Sequence, residues 1–212
     1  MEEYHKIPTV YKRDPDNNFK TLLIGEYATP EIEFLKDSRW IWEEKIDGTN
    51  IRAIWENGKI RYGGKTENAQ IPAFLLDDMN KMFSVEKMRE VFKDDAVCLY
   101  GEGYGKKIQS GGDYSPERSS FILFDVRIGE FWLKREDVLD VANKLGIKKC
   151  PVVSSGTLEQ AVFTAKGNLK SLEGNRMAEG LVMRPKVDFF DRRGHRVIAK
   201  IKLKDFPKKE ES

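Results

Sequence analysis

Trp40-Ile41-Trp42-Glu43-Glu44-Lys45-Ile46-Asp47-Gly48-Thr49-Asn50-Ile51-Arg52-Ala53-Ile54-Trp55 holds two runs of aromatic and β-branched residues on either side of a short polar turn. Residues 40–44 and 50–55 read as strands, and 59–62 continues the pattern after Asn57-Gly58, a hairpin signal. Working outward, further strand runs are expected at 96–100, 120–127, 180–185 and 197–203. Apolar residues at helical spacing predict helices over 73–83, 85–92, 134–145 and 158–165, with Gly146 stopping the third. Runs of strands with interspersed helices predict an α+β domain of antiparallel sheets flanked by helices. Strict strand-helix alternation is absent, which excludes a doubly wound parallel sheet. Residues 106–119, with Gly111-Gly112 and Pro116, predict a loop, and the charged tail 202–212 is expected to pack through Phe206 and fray at its end.

Composition permits a well-packed core: of 212 residues, 40% are hydrophobic and 11% aromatic. The net charge of +2 does not announce a nucleic-acid binder in bulk and leaves a local basic surface open. Two cysteines, Cys98 and Cys150, suit a reduced chain rather than a disulfide framework, and with His5 and His195 isolated they suggest no Cys/His metal site. There is no 18-residue apolar run and no apolar signal core in the first 12 residues, so the expectation is a cytoplasmic protein without a membrane span.

The chemistry concentrates in Lys45-Ile46-Asp47-Gly48-Thr49-Asn50. If this is a strand end, Lys45 and Asp47 point to one side, and Gly48 lets the backbone turn or approach a ligand closely. A lysine is a nucleophile only when neutral, and holding one neutral near pH 7.4 costs roughly 4 kcal/mol, because the side chain ordinarily titrates at about 10.4. Burial and neighbouring cations can supply that shift. The alternative is a surface turn with an ion pair. Elsewhere, Tyr100-Gly101-Glu102-Gly103-Tyr104-Gly105 sets an acid between glycines at a strand end, and Glu179-Gly180-Leu181-Val182-Met183-Arg184 starts a strand with another. Ile198-Ala199-Lys200-Ile201-Lys202 is an apolar strand with two lysines on one face.

In this order the segments resemble the collinear motifs of the covalent nucleotidyltransferase superfamily, which holds ATP-dependent DNA ligases, RNA ligases and mRNA capping enzymes. Lys45 to Asn50 looks like motif I, residues 99–103 like motif III, and 121–126 with Phe124-Asp125 like motif IIIa. Residues 179–182 look like motif IV and 199–202 like motif V. Within the superfamily the RNA ligases are most similar. Lys6-Ile7-Pro8-Thr9-Val10-Tyr11, Gly64-Lys65-Thr66-Glu67-Asn68-Ala69-Gln70-Ile71-Pro72 and Gly103-Tyr104-Gly105-Lys106-Lys107-Ile108-Gln109 carry that likeness. Two positions depart from it. Asp47 stands where duplex-sealing phage RNA ligases often have His, so motif I here is closer to that of DNA ligases. Lys65 stands where ligases commonly place an arginine on a phosphate or the nucleotide, which keeps the charge and loses the bidentate fork.

The resemblance implies a single nucleotidyltransferase (ATP-grasp-like) domain over residues 1–212, with a nucleotide cleft between sheets. It implies an ATP-dependent RNA ligase acting on RNA ends or nicked duplex containing RNA, as a monomer. Lys45 becomes adenylylated. Lys200 and Lys202 hold the α-phosphate. Glu102 takes the ribose hydroxyls, Glu179 places Mg2+ or Mn2+ through water, and Asp47, Gly48 and Asn50 shape the site. Glu43 or Glu44 reads the adenine amino group. Phe124 stacks on adenine or is a core aromatic, and Arg52 contacts a phosphate or is a solvated strand arginine. A DNA ligase, a GTP-using capping enzyme and a non-catalytic nucleotide or RNA-end binder are the alternatives. The chain ends ten residues after Lys202, where an OB-fold or helical domain would follow in larger relatives, so a bare catalytic module is expected. No Gly-x-x-x-x-Gly-Lys-Ser/Thr run exists, which excludes the P-loop route to ATP, and Gly101, Gly103 and Gly105 make no dinucleotide fingerprint.

Overall fold

Alternation along the strand that ends at Lys45 decides which side of its sheet is core. The computed structural model describes residues 3–66, 68–108 and 113–206. Glu67 and Gln109, quoted for the family likeness, and the tail beyond Phe206 lie outside those residues. In chain order the elements begin with β1 (Tyr11–Arg13), β2 (Leu22–Tyr27), α1 (Pro30–Phe34), β3 (Trp40–Lys45), β4 (Thr49–Glu56), β5 (Lys59–Gly63), α2 (Ala73–Met82), α3 (Val85–Phe92) and β6 (Val97–Gly105). They continue with β7 (Ser119–Ile128), β8 (Phe131–Trp132), α4 (Arg135–Leu145), β9 (Lys148–Lys149), β10 (Val152–Gly156), α5 (Leu158–Lys166), β11 (Gly180–Pro185) and β12 (Ala199–Lys202). The chain divides into two compact units: a flanking unit, His5–Lys45 with Pro151–Ser212, and an inserted unit, Ile46–Cys150 with Met1–Tyr4.

In the flanking unit, β10-β3-β11-β12 form a four-stranded antiparallel sheet, and β1 pairs with β2. Trp40 and Trp42 of β3, Leu181 and Met183 of β11, and Ala199 and Ile201 of β12 share one face and are buried with Leu158, Ala161, Val162 and Ala165 of α5. Each fully buried large side chain contributes about 1.5–3 kcal/mol. α5 starts at a capping box in which Thr157 and Gln160 satisfy each other's backbone N–H. Period two leaves Glu43 and Lys45, Val182 and Arg184, and Lys200 and Lys202 on the opposite face.

In the inserted unit, the sheet runs β5-β4-β6-β7-β8, with β9 parallel to β7. Helices α2, α3 and α4 supply Leu75, Met79, Met88 and Val138 to a core with Ile51, Ala53, Trp55, Leu99, Phe121 and Leu123. The other face carries Ile54, Cys98 and Tyr100, packed by Tyr4, Phe124 and Trp132. A β-bulge interrupts the β6–β7 ladder: Tyr100 faces Asp125 while Gly101 faces Leu123, so Phe124 is the extra residue.

The mixed fold with antiparallel sheets is as expected, and Gly146 ends α4 in the left-handed region at φ 68°. The expected strand end at Tyr100 is corrected. β6 continues to Gly105, because Gly101, Glu102 and Gly103 pair with Ile51, Asn50 and Thr49 of β4. The short elements β1, β2, α1, β8, β9 and β10 carry too little periodicity to be read from sequence.

Candidate active site

Lys45 is the last residue of β3, and β11 begins immediately after Glu179. Lys45 and Lys202 both oppose Gly180, one from each neighbouring strand. Lys45 Nζ donates to Glu179 Oε2 at 2.6 Å, and Lys202 Nζ pairs with Oε1. A Cβ at position 180 would overlap the Ile201 carbonyl oxygen, so the residue beside the acid must be glycine for β11 to lie against β12. Burial pushes the Glu179 carboxyl up, but Lys45 and Lys202 outweigh it and hold the group below its ordinary range. Lys200, on the same face, is pushed down to about 8, first by burial and then by the charges of Lys45 and Lys202. Three lysines around one carboxylate leave an excess of positive charge, suited to an anionic ligand.

Two side chains without an assigned role organise Lys202. Asp205 Oδ2 accepts from the Lys202 backbone N at 3.0 Å, and Arg13 donates to Asp205 Oδ1 at 2.7 Å. The three-residue spacing of Lys202 and Asp205 is a capping signal legible in sequence; Arg13 offers none. Arg184, two residues beyond the motif IV run, lies on the lysine face with its Nε 3.6 Å from Glu43 Oε2. Alternation from Val182 would have placed it there.

The structure separates Glu43 from Glu44. Glu43 shares the face of Lys45. Glu44 turns to the other, where Oε1 accepts from Ser171 Oγ at 2.6 Å and Oε2 from Leu172 N at 2.8 Å. Burial raises the Glu44 carboxyl, and those two bonds offset only part of the effect.

In the inserted unit, Asn50 and Glu102 are directly paired across β4 and β6, both half-buried, on the face away from the helices. Asn50 Oδ1 is buried without a hydrogen-bond partner among the described residues. The Asp47 backbone N donates to Tyr114 Oη at 3.2 Å. Gly48 is required by a close approach: a Cβ there would overlap the Gly103 carbonyl oxygen. That approach is to backbone, where the sequence allowed either a turn or a ligand. Phe124 is half-buried, edge-on to Tyr4 at 5.1 Å and packed with Ile46 and Ile122. Tyr4 Oη in turn donates to the buried Asp125 at 2.7 Å.

Arg52 requires a correction. It is 1% exposed, so it is not a solvated strand arginine. Its Nε donates to the Gly64 carbonyl at 3.1 Å, and the guanidinium covers Gly63. The arginine therefore anchors the backbone that presents the exposed Lys65.

The RNA ligase family pattern matches residues 38–202. No functionally curated protein matches the sequence. Among solved structures, a mutant Naegleria gruberi RNA ligase with AMP and Mn is similar at TM-score 0.65 and 20% identity, over 94% of this chain and 57% of that one. The same ligase with PPi gives TM-score 0.65 and 20% identity over 94% and 57%. A mutant with ATP and Mn gives 0.62 and 21% over 86% and 54%. The chain thus spans a little over half the length of these structures, and at such identities the likeness is one of fold. The family match covers every strand that carries the lysine cluster: the chain belongs to the RNA ligase family.

Proposed function

We propose that the chain is an ATP-dependent RNA ligase that joins a 5′-phosphate end to a 3′-hydroxyl end. The observation that carries this reading is the cluster of Lys45, Glu179, Lys200 and Lys202 on one sheet face. In the first step Lys45 Nζ attacks the α-phosphorus of ATP, an N–P bond forms, and the P–O bond to pyrophosphate breaks. The AMP then passes to a 5′-phosphate, which frees the lysine. A 3′-hydroxyl attacks the activated end, and AMP leaves.

Attack requires a lone pair on Nζ, so the proton shared with Glu179 must first leave Lys45. Lys200 and Lys202 neutralise charge that builds on the α-phosphate, the main task in phosphoryl transfer. Glu102 is assigned to the ribose hydroxyls, Phe124 to the adenine face, and Asp47 and Asn50 to orienting the ends. Among the described residues no three His, Cys, Asp or Glu side chains group to cage a metal. That suits Mg2+ or Mn2+ held largely by water and phosphates, with Glu179 the carboxylate nearest the lysines. Such an ion would supply charge neutralisation at the phosphates. The likeness to structures holding ATP, AMP and Mn supports the choice of nucleotide and metal. Among the described residues no helix is long and apolar enough to cross a membrane.

Incubation with α-labelled ATP and Mg2+ tests the reading. The label should remain on the protein after denaturation, and Lys45→Ala should abolish it. Absence of label from the wild type refutes an active ligase, and ATP binding without covalent label marks a non-catalytic binder. Preferential labelling by GTP marks a capping enzyme. Sealing only all-DNA nicks marks a DNA ligase.

A further inference from the structure

The segment joining β11 to β12 is built in a way that the nucleotidyl chemistry does not use. It forms a tight hairpin. The Val197 N donates to the Phe189 carbonyl at 2.7 Å, Phe190 and Arg196 form a bridge, and the Asp191 N donates to the His195 carbonyl at 2.8 Å. Asp191 Oδ1 accepts from the backbone N of Arg193 at 2.8 Å and of His195 at 2.9 Å, and Gly194 closes the turn at φ +80°. The Asp191 carboxylate thus holds the turn through one oxygen, and its other oxygen lies 3.4 Å from His195 Nδ1. Arg192 and Arg193 stand exposed at the tip.

At the hairpin's base, Phe189 and Phe190 are 43% and 57% exposed, and Phe34, at the end of α1, is 85% exposed. They border a hollow of about 310 Å³, completed by Pro30, Leu35, Val197 and the single acid Glu31. Solvent-exposed aromatics are expensive to leave uncovered unless they meet a partner. Along the hairpin they adjoin Lys186, Arg192 and Arg193, with Asp188 and Asp191 on the same segment and Glu31 on the α1 side of the hollow. Aromatic faces beside arginines suit a polynucleotide: bases stack on the rings and phosphates meet the guanidinium groups. β11 separates this surface from the lysine cluster by about 17 Å between Gly180 and Pro185, at about 3.3 Å per residue.

We propose that this hairpin, with Phe34, is a platform for a single-stranded stretch of the RNA set back from the reacting end. The choice of RNA rests on the ligase reading above. Docking through the platform does not require the adenylylation step, so the two are tested apart. The probe is a fluorescent single-stranded oligoribonucleotide lacking a 5′-phosphate, followed by anisotropy without ATP. Phe189→Ala with Phe190→Ala should weaken binding about tenfold or more. Arg192→Ala with Arg193→Ala should reduce the slope of log affinity against log salt by about 1.4. Uptake of label from ATP should persist in every variant, which also reports folding. Wild-type affinity in both double variants overturns the proposal. So does sedimentation showing that the aromatic face pairs two copies of the chain while strand binding is unchanged. Platform-dependent binding by a chain that takes up no ATP label would keep the platform and remove the ligase reading.

Discussion

Replacing Lys200 by Met should stabilise the protein while removing activity. The ammonium of Lys200 is crowded by burial and by Lys45 and Lys202, with only Glu179 opposing, and its pKa falls from 10.5 to about 8. Taken at face value that drop corresponds to about 3 kcal/mol of unfavourable free energy in the folded protein. Lys200 is only partly buried, and solvent screening reduces the expected effect to about 1–2 kcal/mol. Methionine keeps the unbranched stem and deletes the charge. The backbone at this position is bonded through Lys200 N to Pro8 O and through Val10 N to Lys200 O, both at 3.0 Å, and neither bond involves the side chain. Below pH 8 the lysine is protonated in folded and unfolded chains alike, and its penalty is complete. Between about 8 and 10.5 the unfolded chain holds the proton more tightly, so wild-type stability rises with pH. Urea unfolding of wild type and Lys200→Met at pH 7 and pH 10 is the assay. The variant should be the more stable at pH 7, and its advantage should shrink by pH 10. A variant less stable at pH 7, or a difference that ignores pH, would show that the lysine cluster is not electrostatically crowded.

Glu179→Gln should act in the opposite sense, because the wild-type carboxyl titrates below its ordinary range. Its contribution is present above pH about 4.5 and is lost as pH falls through the folded value, so the variant should lose stability at pH 7 and approach wild type in acid. Gly48→Ala forces a methyl onto the Gly103 carbonyl and should cost about 1–3 kcal/mol, seen as a lower thermal midpoint. An unchanged midpoint would place the 48–103 contact in doubt. Arg52→Lys removes the Nε bond to the Gly64 carbonyl and should cost about 1–3 kcal/mol. Limited trypsin digestion should then cut faster after Lys65, and equal rates would argue that the arginine does not anchor that loop.

Much of the lysine site is legible in the sequence, because it is written in local periodicity. Lys45 at a strand end, Glu179 at a strand start, and Lys200 with Lys202 at period two are consequences of the pleat, which short-range sequence encodes. Which strands lie side by side is not encoded locally. Pairing of β3 and β12 with β11 brought Lys45 and Lys202 to the Glu179 carboxylate. Arg52 shows the limit from the other direction. Its alternation with Asn50 could be read, but its burial depends on Gly63 and Gly64 arriving from β5, a long-range pairing. Phe124 shows it again, since a bulge inserts it into the ladder, and an extra residue in a strand leaves no mark in composition. The sequence by itself determined the longer helices and strands and singled out Lys45, Glu179, Lys200 and Lys202 as the candidate site. Strand register and burial decided which of those charges meet, because they depend on residues far apart in the chain.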